Sequence, residues 1–380
     1  MTADIDQLAK DLTDIRKDLQ ADMGPEDFKH LRKIEGWGRA CTAIGYATAW
    51  IVPNPISALL ISQGIFTRWT TIAHPISHRG YDRIEGIPEH YTSKGFAKGW
   101  RRVIDWFDWM LPEAWHEEHD NLHHYNLGET KDPDQLEYNM EWLRNSRAPM
   151  ALRYLFVALF ACVWKPTYYG PNTLKELRSA TARRKGQATP PSLLSIEAWN
   201  PFTSTGREVW LQSLLPYVAF RFVFLPALFL PLGSAAATAV LINSLFAEVL
   251  TNLHAFLVIV PNHAGDDIPR FDEAVSGKNE FYLRQIVGSV NYPCGTDRID
   301  FFHGWLNYQI EHHIWPDLPL LQYQRSQVRV RECCEKYGIP YVQESVFKRL
   351  AKAVPIMVGA TTMQRDYKHG LEEDSTDAAA

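Results

Sequence analysis

The chain has 380 residues, a formal net charge of −5 and a mean hydropathy of −0.25. So mild a charge, with no Lys/Arg stripe or RNA-binding motif, excludes nucleic acid as a partner. Five scattered cysteines (Cys41, Cys162, Cys294 and the adjacent Cys333 and Cys334) exclude a disulfide framework, a zinc ribbon and a CxxC redox site.

The N-terminus has no apolar signal-peptide core. Ile5, Leu8, Leu12, Ile15 and Leu19 instead form one stripe of an amphipathic helix. Residues 1–22 carry six acids and three bases, which disfavours anionic lipid and favours packing on the body or on another chain. Residues 1–34 are read as this amphipathic N-terminal region.

Two apolar stretches follow, at 40–71 and 210–260, each longer than the ~20 residues of one membrane helix. Pro53-Asn54-Pro55 divides the first, and Pro231-Leu232-Gly233-Ser234 divides the second. The expectation is an all-α integral membrane protein with four transmembrane helices in two hairpins, 38–52 with 56–77 and 208–230 with 235–258. A soluble bundle would bury such segments too. However, the hairpin tips are uncharged while the flanks carry Arg32, Lys33, Arg39, Arg79, Arg83 and Lys94. That asymmetry favours a membrane with both hairpin bases in the cytosol. Arg221 and Glu248 are the charges that must then face protein. The apolar segment 150–163 is too short to span and is read as interfacial or re-entrant. Residues 262–380 are expected on the cytosolic side, with 346–380 forming a helix and an acidic tail, disordered from Leu371.

The 14 histidines bunch rather than scatter. His74 and His78 lie four apart, as do His119 and His123, and such pairs share one face of an α-helix. His124 is rotated from that face and reaches toward a second metal. His312 and His313 form another pair, one turn after Gln309. Seven histidines are too many to bury as satisfied core residues and too many for one tetrahedral zinc, so the pattern points to two metals. HEEH at 116–119 is one residue short of HExxH, which excludes that metalloprotease motif.

These three boxes, with their contexts EHDNLHHYNLGETKDPD and FHGWLNYQIEHHIWPDLP, resemble the membrane fatty acid desaturase/hydroxylase family across about 35–345. The resemblance implies a four-helix stem under a cytosolic helical cap holding a non-haem diiron centre. It implies chemistry in which O₂ and two external electrons remove hydrogen from an unactivated C–H bond. It further implies a ligand between the fourth helix and the third box. His263, beside the helix-breaking Pro261, is preferred; His254, nine residues away and half a turn out of phase, is the second candidate as ligand or support. Asn262 is a candidate holder of a water ligand, His116 a supporting residue, and Glu311 and Glu118 candidates to orient imidazoles. Gln309 stands where many members have the first histidine of the third box, as in front-end desaturases. The second box has three residues between His119 and His123, where many desaturases have two.

The leading expectation is an acyl-lipid or acyl-CoA desaturase that forms a cis double bond. The alternative is a diiron hydroxylase or ketolase acting on an alkane, carotenoid or other apolar chain. With no HPGG haem motif, electrons must come from a separate ferredoxin, or from cytochrome b5 with its reductase. The bacterial inner membrane is preferred to the endoplasmic reticulum, with the site facing the cytoplasm. The aromatic stretch 100–119 is a candidate lining for the lipid tunnel.

Overall fold

The computed structural model describes residues 4–365, and among these it contains helices and isolated bridges but no strand. The acidic tail expected from Leu371 lies outside the described residues.

Helix α1 (Ile5–Asp22) starts at Asp4, whose carboxylate accepts the Gln7 N–H at 2.9 Å. Such a cap contributes about 1 kcal/mol. Leu8, Leu12 and Leu19 of its stripe are buried. Ion pairs from Arg16 to Asp317 and from Lys336 to Asp11, both at 2.7 Å, fasten the helix to the C-terminal half of the same chain.

Helix α2 (Pro25–Ala49) begins with proline at its first turn, where the missing N–H costs nothing. It crosses residues 34 and 35 without a break, so its charged first half and apolar second half are one rod. Asn54 caps α3 (Pro55–Thr67) by accepting the Ser57 N–H at 2.8 Å. The two helices run antiparallel: Gly38 lies against Thr67, Gly45 against Ile61, and Thr48 bonds Ser57 at 2.8 Å. At Gly64 a Cβ would come within 2.0 Å of the Thr42 hydroxyl, so only glycine permits this approach. The helical run continues beyond α3 through a π-wound turn, Arg68–Ala73, into His74–Ser77.

Among the described residues, Ile196–Leu232 and Ser234–His263 are long and apolar enough to cross a membrane. Helix α2 fails that test because its first half is charged, and α3 because it has 13 residues. Arg221 lies within the first of the long helices and is buried against protein. Glu248, in the second, accepts from Trp109 Nε1 at 2.7 Å and from the Tyr217 hydroxyl at 3.0 Å. Met150–Ala161 and Lys165–Lys185 form a pair bent by 89°. Leu152, Leu155 and Leu159 on the first limb are exposed, as an interfacial or re-entrant segment would have them.

The helix Ser234–Ile259 runs parallel to α3. Asn243 accepts the Asn54 N–H at 2.8 Å at one end, Thr251 donates to Ser62 at 3.0 Å midway, and His254 stacks on Phe66 toward the other end. From the level of Asn54 and Asn243 onward the two helical runs lie side by side. Their ends bring His74, His78 and His263 to one level.

Candidate metal centre

Each histidine reaches the site from a helix end. His74 and His78 close the run begun by α3. His119 and His123 lie on the π-wound segment His116–His123, and the His124 N–H donates to the His119 carbonyl, five residues back, at 3.2 Å. His263 ends the short turn Val260–His263 that Pro261 enforces. His312 and His313 lie on Gln309–Ile314, a helix entered after Trp305 at φ 59°.

The ring nitrogens of His74, His78, His119, His124 and His312 lie within 4.8 Å of one another. His123, His263 and His313 form a second such group, and His119, His123 and Asp134 a third that joins the two. In the first group, Nε2 of His74 is 3.0 Å from Nε2 of His119, and Nε2 of His312 is 3.1 Å from Nε2 of His124. The spacing argument places His119 with His123 on one metal and sends His124 toward a second, whereas His119 and His124 share a group and His123 joins the other. The π winding makes this difference, because it brings residues five apart into register as well as residues four apart.

The outer nitrogens settle the tautomers. His123 Nδ1 faces Asp132 at 2.8 Å, His263 Nδ1 the Gly288 carbonyl at 2.9 Å, and His313 Nδ1 the Gln285 amide oxygen at 2.9 Å. His312 Nδ1 faces the Tyr323 hydroxyl at 3.2 Å, whose own hydrogen is given to the Trp315 carbonyl at 3.2 Å. Each Nδ1 must therefore be the N–H donor, which leaves on Nε2 a lone pair pointing inward, the one on His263 facing the Gln309 amide. Nε2 of His78 and of His313 is buried without a hydrogen bond.

Burial, followed by neighbouring imidazoles, pushes His119, His124, His312 and His313 far below the ordinary histidine range. Burial also pulls His123 down, but Asp132 outweighs it and raises that residue. Inward lone pairs about 3 Å apart repel unless a proton or a metal ion lies between them, and eight imidazoles converge here in two adjoining groups. The donor set therefore fits two nitrogen-ligated transition-metal ions.

A sequence model of the fatty acid desaturase family matches residues 48–345. The chain belongs to the fatty acid desaturase family. This desaturase is an oxidoreductase by family and by its relatives. It is 28% identical over 368 residues to an NADPH-dependent stearoyl-CoA 9-desaturase of Mycobacterium tuberculosis, covering 92% of this chain and 78% of the relative. A Delta(8)-fatty-acid desaturase of Euglena gracilis matches at 32% over 95 residues, 25% of this chain and 22% of its own. An acyl-lipid (9-3)-desaturase of Borago officinalis matches at 34% over 96 residues, 25% and 21% of the two chains.

A cavity of about 1090 Å³ reaches the desaturase's histidines. Its walls include Phe156, Phe160, Val163, Trp164, Tyr168 and Phe256, and it touches His74, His119, His123 and His263. From the aromatic stretch 100–119 only Trp115 and His119 line it. The bent limbs after residue 150 form much of the wall instead.

His254 does not join the cluster: its Nε2 bonds the Phe302 carbonyl at 2.7 Å. Nine residues along one helix aim it away from His263. Glu311 orients no imidazole; it accepts from Asn291 and from Tyr341, both at 2.8 Å. One residue of helical rotation separates it from His312, so the two face different ways, and burial lifts its carboxyl to about 7. Glu118 is fully buried beside Asp134. Burial, then the charge of Asp134, pushes the Glu118 carboxyl up; burial, with Asp132 adding and His123 opposing, pushes Asp134 up to about 6. His116 stands outside the cluster, bonded to Asp120, which lies 3.3 Å from His78 Nε2. Gln309 places its amide nitrogen 2.9 Å from His263 Nε2, and Asn262 donates to the Leu306 carbonyl at 3.2 Å while its oxygen is buried and unpartnered. Sequence reasoning missed Asp120, Gln285 and Tyr323. Asp120 had a signal, following His119 directly; the other two had none.

Proposed function

We propose that this desaturase introduces a cis double bond into a lipid- or CoA-linked acyl chain, using O₂ and two external electrons. The observation that carries this reading is the apolar cavity that ends on the imidazole cluster. A hydrocarbon has no acidic proton and no polar handle, so a site that acts on it must combine a strong oxidant with a dry, shaped channel.

Two iron ions would be held by His74, His78, His119, His124 and His312 on one side and His123, His263 and His313 on the other. When bound they would supply the O₂ activation that no side chain provides. The protein's own part is positional. Phe156, Phe160 and Phe256 replace water around the alkyl chain and lay it toward His119 and His123. Asp132, Gln285, Tyr323 and the Gly288 carbonyl fix the ring orientations. Asn262 and Gln309 set polar groups at the cavity wall, where a water ligand would be held.

The stearoyl-CoA specificity in the mycobacterial relative's name makes an acyl-CoA the first substrate to try. Its NADPH dependence favours a reductase feeding a separate carrier, ferredoxin or cytochrome b5. In this reading residues 35–345 form the catalytic domain, with both hairpins crossing a bacterial inner membrane and the site facing the cytoplasm. The packing of α2 on α3 beside Ser234–Ile259 supports that arrangement.

The test is expression in a host of known lipid composition, with fatty acids resolved by gas chromatography–mass spectrometry beside a His123→Ala control. A new double bond that vanishes in the control is expected. A new hydroxy acid would overturn the reading in favour of hydroxylation.

A further inference from the structure

A second cavity, of about 330 Å³, lies apart from the histidines between α2, α3, residues 103–108 and the span Ile196–Leu232. Three arginines line it: Arg39, Arg68 and Arg221. So do three carboxylates, and each of these is already engaged. Glu35 accepts from Arg39 at 2.6 Å, Arg68 at 3.0 Å and the Tyr91 hydroxyl at 2.7 Å. Asp105 accepts from Arg101 at 2.7 Å and from the Ala97 N–H at 3.0 Å. Asp108 accepts from the buried Lys165 ammonium at 3.0 Å and from the Trp109 N–H at 2.7 Å.

Arg221 differs. It is 6% exposed, one face of its guanidinium packs over the Tyr46 ring at 5.5 Å, and its Nε and Nη2 have no hydrogen-bond partner. A buried cation with unmet donors costs several kcal/mol unless something accepts from it. The cavity thus has free donors and no free carboxylate. It fits an anion, and a guanidinium fork fits phosphate oxygens. Its rim adds a second requirement. Val103 and Ile104 are 53% and 57% exposed, Ala43 is exposed, and Phe220 lines the wall, so an apolar tail can lie against the opening. An ammonium headgroup would find no unengaged carboxylate here.

We propose that this cavity binds the phosphate group of an anionic phospholipid, with Arg221 as its principal contact and Arg39 and Arg68 as neighbouring charges. The lipid is a resident ligand that ties the first hairpin to the span carrying Arg221. The inference needs these helices to lie in a bilayer but is independent of the chemistry proposed at the histidines.

The experiment follows thermal unfolding of the purified full chain in neutral detergent with phosphatidylcholine, with added phosphatidylglycerol, or with sodium phosphate, and measures co-purified lipid by mass spectrometry. Phosphatidylglycerol is expected to raise the Tm by about 3 °C or more over phosphatidylcholine. Arg221→Met should abolish that difference and lower co-purified phosphatidylglycerol about tenfold. Ala43→Trp, which blocks the opening without removing a polar group, should do the same, and it decides the matter if Arg221→Met does not fold. Equal shifts from the two lipids, or a shift that survives Ala43→Trp, would overturn the proposal. An equal shift from sodium phosphate would also overturn it, since a free anion would then suffice.

Discussion

Asp132 touches no metal position, yet it holds His123, receives the Gly128 N–H at 2.9 Å and so shapes the loop after the second box. Outer partners of this kind are worth about 10–100-fold in metal affinity. Asp132→Ala should therefore lose iron to a mild chelator at concentrations that leave the parent loaded, as metal analysis after dialysis will report. A paired comparison separates the two histidines of the fourth helix region. His263→Ala should lower bound iron, and His254→Ala should leave the iron content unchanged, since its ring lies on Phe66 and bonds the Phe302 carbonyl. Equal losses would contradict the assignment. The box histidines were legible in the sequence because their spacing is local and their chemistry is rare. Gln285 and Tyr323 were not, because 28 and 11 residues of chain separate them from the rings they hold. Only the fold brings them there.

At the level of elements, the C-terminal helix Val346–Val358 is pinned by one buried cation. The Arg349 side chain is fully buried and donates to Asp267 at 2.8 Å and to the Ala264 carbonyl at 2.7 Å, just beyond His263. Arg349→Met should destabilise the fold by about 2 kcal/mol, because it takes the donor from the Ala264 carbonyl and leaves Asp267 to Lys352 alone. Thermal unfolding in detergent measures the loss. Burial alone would raise the Asp267 carboxyl, but hydrogen bonds from Lys352 and Arg349 outweigh it and hold it below the usual range. A lowered carboxylate stabilises the fold above its unfolded value, near pH 4, and that contribution fades as pH falls through the lower folded value. The acid limb of the stability curve should thus be shallower in Asp267→Asn. An unchanged limb would remove this pair from the account. Helices α1 and α3 follow from pattern and punctuation, the apolar stripe and Asn54-Pro55, while α2 follows only in its apolar half and begins 13 residues before the expected 38. The bend after residue 161 does not. It is made by Trp164 Nε1 donating to the Asn252 carbonyl and by the Lys165 N–H donating to the Asn252 side chain, both at 2.9 Å.

Across the whole molecule, that bend places two limbs along the large cavity, and Val163 lines its wall at the corner. Val163→Trp should narrow the channel and shift the product profile toward shorter chains, with activity on the longest substrate falling about tenfold. An unaltered profile by gas chromatography would place the chain elsewhere. The two helices long and apolar enough to cross a membrane were legible from the second apolar stretch and the breakers that divide it. The cavity was not, because its wall is assembled from segments more than a hundred residues apart. The winding of the second box has a further consequence. An α-helix that separates two histidines by two residues, and a π-wound turn that separates them by three, present the rings in nearly the same directions. Box length and helical pitch therefore trade against one another. A three-nucleotide insertion in the gene can lengthen the box while the site keeps its shape, provided the turn loosens by one residue. For this desaturase, then, the looser pitch of His116–His123 is what lets a three-residue spacing present its rings to the cluster.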